Sequence, residues 1–276
     1  MRFPQPKPKK EKGPMKLITA ALVAITGLSL CAAPLVLAQD DSFVGKWKLN
    51  PDKSQFTGIP YKIEDVGGNK YNFAFGDDVE TIPLDGKDHP TKYGNTWAIT
   101  ETGPNKWKWT RKRDGKVIAV SNWIVSEDGQ IFSSSRESMR PDGSTSHEEL
   151  KFKRTAGTSG LAGTWESTEV KITSPTTLEI EKWQGDGYSF LDPAYKERTD
   201  FKLDGKDYTP AGPRVSKGTT VSASKSDDHS MELTYKLKGK TTQTERWELS
   251  ADGKTLTQTV TYPGVSKPEV DVYDRQ

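Results

Sequence analysis

"FVGKWKLN", residues 43–50, and "LAGTWEST", residues 161–168, are two versions of one segment, and their relation decides how the chain folds. Each places a glycine two positions before a tryptophan, so Gly45-x-Trp47 matches Gly163-x-Trp165. Three further landmarks recur in the same order. "LDGKDHP" (84–90) returns as "LDGKDYTP" (203–210), and "SNWIVSEDGQIF" (121–132) as "TERWELSADGKTL" (244–256). "LKFKR" (150–154) and "DVYDR" (271–275) close the copies. The separations run from 118 (Trp47 to Trp165) to 124 (Trp123 to Trp247), which a tandem duplication explains. Each copy has the size of an ordinary domain, ~100–150 residues. The sequence therefore predicts a first domain over 39–155, a linker over 156–160 ("AGTSG" with its small, flexible residues) and a second domain over 161–276.

Both copies read as strands. "KWKLN", "YNFAF", "NKWKWTRKR", "MELTYKLK" and "TLTQTVTY" alternate with period two, and no segment after Gln39 carries helical periodicity. Asp-Gly or Lys-Gly pairs at 85, 114, 128, 142, 204, 238 and 252 separate them. Such pairs suit tight hairpins, whose central residues take positive φ. Strands joined by hairpins at ~10-residue intervals predict an antiparallel meander, and closing it into a barrel removes the exposed edges. "LDGKD" is expected to be a strand end and turn copied along with its domain.

The Gly-x-Trp on the first strand and the Arg near the end of the last resemble the signature of lipocalin-like (calycin) barrels. The resemblance covers residues 43–276 and is closest to exported bacterial proteins described as lipocalin-like and of unknown function. It implies an all-β chain with two tandem up-and-down barrels. In each, an arginine from the last strand stacks on the tryptophan of the first. Carried onto the two repeats, the closure residues are Gly45, Trp47 and Arg154 in one and Gly163, Trp165 and Arg275 in the other. A guanidinium over an indole contributes ~0.5–2 kcal/mol.

The N-terminus carries an address. "LITAALVAITGLSLCAAPLVLA" (17–38) follows a basic segment and ends on Val36-Leu37-Ala38, the layout of a secretory signal peptide cleaved before Gln39. The expectation is an exported protein, periplasmic or secreted, with no stable membrane insertion after cleavage. Either Met1 or Met15 serves as the start, and an uncleaved anchor is the alternative reading of the apolar run. Cys31 is the chain's one cysteine, so the cleaved product contains none and no disulfide staples it. Removing six basic residues and one acidic one from the 40 and 38 leaves 34 against 37, a net charge of −3. That balance removes the electrostatic case for nucleic acid.

Signals for chemistry are few. His89, His147 and His229 sit in dissimilar contexts, and His89 matches Tyr208 in the other copy. No His or Cys spacing suggests a transition-metal site, and neither Asp77-Asp78 nor "KSDDHS" (225–230) has the oxygen spacing of a calcium loop. Phosphate-binding, dinucleotide and nucleophile-elbow motifs are absent, so neither cofactor nor catalytic residue is expected.

The two copies differ most informatively on one strand. Aligning "NKWKWTRKRDGK" (105–116) with "SMELTYKLKGK" (230–240) sets Trp107, Trp109, Arg111 and Arg113 against Met231, Leu233, Tyr235 and Leu237. Alternate positions on a strand share one face. The second copy thus has an ordinary apolar face, and the first has two tryptophans followed by two arginines. An inward arginine needs a partner or water. Either the pair reaches solvent at the rim, or it forms the cationic mouth of a pocket whose floor is Trp107, Trp109 and Trp123. The sequence-level expectation is a non-enzymatic barrel protein that binds a small hydrophobic or amphiphilic ligand. The alternatives are an envelope module with filled barrels and, third, an isomerase or hydrolase acting on a lipid or terpenoid.

Overall fold

The structure, a computed structural model, describes residues 43–276; the expected signal segment, its cleavage site and Cys31 lie outside them. The chain is all-β. Strands β1 (Gly45–Leu49), β2 (Pro60–Gly67), β3 (Lys70–Phe75), β4 (Asp78–Pro83) and β5 (His89–Pro90) lead into β6 (Thr96–Gly103) and β7 (Lys106–Arg113). The first repeat ends with β8 (Lys116–Val125), β9 (Ile131–Met139) and β10 (Thr145–Ala156). The second supplies β11 (Gly163–Thr173), β12 (Thr177–Trp183), β13 (Gly187–Asp192), β14 (Glu197–Phe201) and β15 (Asp204–Tyr208). Its remaining strands are β16 (Thr219–Asp227), β17 (Ser230–Leu237), β18 (Lys240–Leu249), β19 (Thr255–Thr261) and β20 (Glu269–Arg275). Five of the seven Asp-Gly and Lys-Gly pairs turn hairpins, those at 114, 128, 142, 238 and 252, and Asp114, Lys238 and the glycines that follow them hold positive φ.

The strands form two ten-stranded antiparallel sheets, each curled into a nearly closed barrel. The barrels do not coincide with the repeats. The first runs β4-β3-β2-β11-β10-β9-β8-β7-β6-β5, so it is built from residues 60–173 without interruption. The second runs β14-β13-β12-β1-β20-β19-β18-β17-β16-β15 and is completed by the N-terminal strand, inserted between β12 and β20. The first strands of the two repeats have changed places. The exchange follows from chain connectivity. β10 and β11 are joined by a short turn over 157–162 and pair along most of their length, a hairpin that closes locally. β1 then fills the vacant place beside the C-terminal strand.

The closure pairs are accordingly the reverse of the expected ones. Arg154 lies over Trp165, 4.0 Å from the ring centre, and Arg275 over Trp47, 4.1 Å away. Each contact belongs to a dense cluster. Arg154 donates from Nε to the Gly129 carbonyl (2.5 Å), from Nη1 to Ala162 (2.6 Å) and from Nη2 to Gly160 (2.6 Å). Arg275 donates from Nε to Gly253 (2.6 Å) and from Nη1 to Val44 (2.9 Å). The indole N–H groups of Trp47 and Trp165 are satisfied by the carbonyls of Phe43 and Leu161, both at 3.0 Å. The glycine of Gly-x-Trp is needed because a Cβ at Gly45 would come within 2.6 Å of Arg275 Nη1, and one at Gly163 would press still closer on Arg154 Nη1. The repeated Trp, Asp-Gly and Arg landmarks therefore converge on one point in each barrel.

Each barrel is interrupted at one equivalent seam, between β4 and β5 or between β14 and β15. The repeated "LDGKD" peptide lies at this seam: residues 84–88 cross from β4 to β5, whereas in the second copy Asp204 to Asp207 already belong to β15. Asp85 accepts from the Lys87 backbone N–H (3.0 Å) and from His89 Nε2 (2.8 Å), and Asp204 accepts from the Lys206 N–H and the Tyr208 hydroxyl, both at 3.1 Å. His89 and Tyr208 thus do one structural job with different chemistry. Side chains bridge the first seam, where Asp78 takes the Tyr93 hydroxyl and the Lys92 ammonium.

The two barrels belong to one compact unit. The connector after β1 is held on both sides: Gln55 pairs with Val270 of the second barrel, and Gly58 N–H reaches the Ser167 carbonyl of the first at 2.6 Å. At another point Phe75 meets Tyr262 edge-on at 4.9 Å, and Asp77 N–H donates to the Pro263 carbonyl at 2.9 Å. Gly76 (φ +57°) permits that approach, because a Cβ there would strike Pro263 O.

The exchange makes a stability prediction. Arg275→Ala should cost about 1–2 kcal/mol and Arg154→Ala a similar amount, through lost stacking and carbonyl contacts. In double-mutant cycles Arg275→Ala should be non-additive with Trp47→Phe and additive, within about 0.5 kcal/mol, with Trp165→Phe. Denaturation monitored on each variant gives both numbers.

Candidate functional site

β7 turns Trp107 and Trp109 to the barrel interior, alternating with exposed Lys106 and Lys108, and carries half-buried Arg111 and Arg113 beyond them toward its end. Trp107 and Trp109 are buried at 8% and 5% exposure, and Trp123 on β8 at 9%. Trp109 stacks on Trp123 with a 17° interplanar angle and 6.2 Å between centroids, and Trp97 from β6 meets Trp109 edge-on at 5.5 Å. Phe73, Phe132 and Phe152 extend the aromatic set through contacts to Trp97, Trp123 and one another.

These rings do not fill the barrel. A cavity of about 380 Å³ remains, lined by Trp97, Trp109, Trp123, Phe132, Arg111 and Arg136 among others. Ser121 and Ser134 face it as a mutually bonded pair, Oγ to Oγ 2.8 Å, their small side chains leaving room where the second barrel carries Glu245 and Gln258. The volume lies within the usual range of small-molecule pockets, ~300–1,000 Å³.

Of the residues singled out from sequence, Trp109, Arg111 and Trp123 line this cavity together. Trp107 belongs to the same buried core but is set back from the wall, directly across the ladder from Trp123. Arg113 lies at the joint between barrels, donating to Tyr93 O (2.8 Å) and to Val215 O (3.3 Å). Arg111 and Arg113 are both half-buried rather than extended into solvent. Arg111 sits over Trp109 at 5.4 Å, and its Nε is buried without a hydrogen-bond partner. Trp109 Nε1 and the Nε atoms of Arg113 and Arg136 are left in the same condition. Orphaned buried donors cost ~1–3 kcal/mol each, and a cluster of them around a void marks a place for an acceptor.

Three participants escaped the sequence reading. Trp97 precedes β7 on the neighbouring strand. Arg136 lies on β9, inward like Phe132 and Ser134, and pairs with Glu148. That alternation was a usable signal. Arg214 comes from the loop between β15 and β16 and stacks on Tyr195 at 3.4 Å, a position no pattern announces.

The second barrel lacks the arginines of β7 and β9 and carries acids at other inward positions. Where the first has Arg111 and Arg136, the second has Tyr235 and Val260; where the first has Ser121 and Leu150, the second has Glu245 and Asp271. Met231 and Leu233 are fully buried there, as the sequence comparison suggests, with Tyr235 packed against the same core. Glu245 is buried at 4% exposure and accepts from Trp247 Nε1 (2.8 Å) and Gln243 Nε2 (2.6 Å). Burial pushes its carboxyl above the ordinary range. Burial, reinforced by Glu269 and Glu245, lifts Asp271 to about 8. In the first barrel, burial and the neighbouring Arg136, Arg214 and Arg113 lower Arg111 to about 10.

Among the described residues no group of three or more His, Cys, Asp and Glu side chains is placed to hold a metal. No protein-family model matches the chain, and no curated protein is significantly similar to it.

The Asp271 shift carries a signed prediction. A carboxyl whose folded pKa lies above its unfolded value keeps a proton that the unfolded chain releases. The folded form is then penalised progressively from about pH 4, by up to about 1.4 kcal/mol per pH unit, until about pH 8. Asp271→Asn should therefore raise the melting temperature at pH 8 and leave it nearly unchanged at pH 4, as paired thermal melts will show.

Proposed function

We propose that the protein is an exported, lipocalin-like binding protein whose first barrel takes a small apolar or amphiphilic molecule, with no catalytic centre. The observation that carries this reading is the cavity among Trp97, Trp109 and Trp123, walled by aromatic faces and edged by the unpartnered Nε atoms of Arg111 and Arg136 together with the carboxylates of Glu148 and Glu269. Flat rings give large apolar contact, at ~25 cal/mol per Å² of surface removed from water, while a few polar groups orient the guest. The second barrel, its matching face packed with Met231, Leu233 and Tyr235, serves as the scaffold that holds the N-terminal strand.

One observation favours a second reading. Glu245, Glu269 and Asp271 are inward-facing acids with raised pKa values, and Asp271 keeps its proton near neutrality. Such a group suits acid catalysis on a lipid or terpenoid. Recovery of the bound molecule chemically unchanged after long incubation separates a carrier from an enzyme.

The binding reading predicts that an uncharged alkyl probe such as 1-decanol quenches tryptophan fluorescence in the native protein. Ser134→Phe, which projects a ring into the cavity, should abolish that response while the melting temperature stays within a few degrees. An equal response from native protein and Ser134→Phe would show that the probe binds elsewhere.

A further inference from the structure

A second and larger cavity, about 680 Å³, lies between the two barrels and shares Phe75, Trp97 and Arg111 with the aromatic cavity. Its walls carry six cationic side chains against three carboxylates. The cations come from both barrels: Lys92, paired with Asp78, from the segment after β5, Arg111 and Arg113 from β7, Arg214 from the loop before β16, Lys238 from the turn after β17 and Lys240 from the start of β18. Few of them are neutralised. Arg111 has neither an ion pair nor a hydrogen bond among the described residues, and neither ammonium of Lys238 or Lys240 is paired. Arg113 reaches only backbone carbonyls, and Arg214 touches Glu197 at 3.4 Å. The acids raised by burial in the second barrel do not pair with Arg111.

We infer that this interbarrel cleft is an anion site assembled from both barrels, which receives the phosphate-monoester head of an amphiphile whose chain enters the aromatic cavity. The inference rests on the binding reading for the position of the chain, and on the cleft alone for the head. Three excess positive charges match a dianion better than a carboxylate. Guanidinium groups offer paired, planar donors that suit phosphate oxygens, and Arg111 and Arg113 each hold a buried Nε with no acceptor. The shared residue Arg111 marks where head and chain would join.

Arg214 provides the test, because it lines the cleft and does not line the aromatic cavity. Calorimetric titrations of the full chain with decyl phosphate, decanoate, 1-decanol and inorganic phosphate should rank decyl phosphate at least tenfold tighter than decanoate. Arg214→Gln should weaken decyl phosphate at least fivefold and leave 1-decanol unchanged. Because Arg214 also stacks on Tyr195, the double variant Lys238→Gln, Lys240→Gln, confined to an exposed turn, should shift decyl phosphate in the same direction. Inorganic phosphate binding that Arg214→Gln weakens, with no response to 1-decanol, would keep the anion site and remove the apolar carrier reading. Decanoate binding as tightly as decyl phosphate, or decyl phosphate affinity indifferent to both variants, would overturn the inference.

Discussion

Two guanidinium-over-indole contacts, Arg275 on Trp47 and Arg154 on Trp165, are the points on which the architecture depends. Each joins the first strand of one repeat to the last strand of the other, because β1 lies beside β20 and β11 beside β10. The arginine also collects the carbonyls of the repeated Asp-Gly turn and of the segment preceding the tryptophan. One side chain therefore fixes strand, turn and terminus together, and truncating it frees several buried polar groups at once. The strand exchange also binds the N-terminal strand to the C-terminal one. Neither repeat can complete its barrel alone, and the two are obliged to remain side by side.

That obligation gives the charge divergence its meaning. Independent barrels on a flexible linker could carry unlike interiors with no shared consequence. Here the connector passes from Gln55 on one barrel to Gly58 and Ile59 on the other, and the Gly76 turn docks on Pro263. Arginines on β7 and β9 of the first barrel therefore lie close to the acidic interior of the second. Each set is kept partly desolvated, which lowers Arg111 and raises Asp271. Such opposed shifts arise where like charges are grouped rather than paired off.

Much of the fold was legible from residue order. Period-two alternation and Asp-Gly spacing gave the strands, and the recurrence of Gly-x-Trp, Asp-Gly and Arg gave the duplication. The exchange was not legible, for a physical reason: Gly45-x-Trp47 and Gly163-x-Trp165 present the same glycine gap and the same indole, so either fits under either arginine. What decides between them is the short β10–β11 hairpin, a matter of loop closure rather than of side-chain identity. At the candidate site, the arginines of β7 stood out because the second repeat shows what an ordinary strand places there. Arg136 was visible by alternation alone. Arg214 was not, since its role arises from a loop brought across by the neighbouring barrel.

The strand exchange can be read directly by cysteine cross-linking in a chain with Cys31 replaced by serine. Lys46 lies opposite Glu179 in the β1–β12 ladder, whereas unexchanged strands would set Lys46 opposite Lys62, the place Thr164 occupies. Under mild oxidation, Lys46→Cys with Glu179→Cys should form an intrachain disulfide in monomeric protein, identified by peptide mass mapping, and Lys46→Cys with Lys62→Cys should not. The opposite pattern would contradict the exchange and with it the two-barrel site.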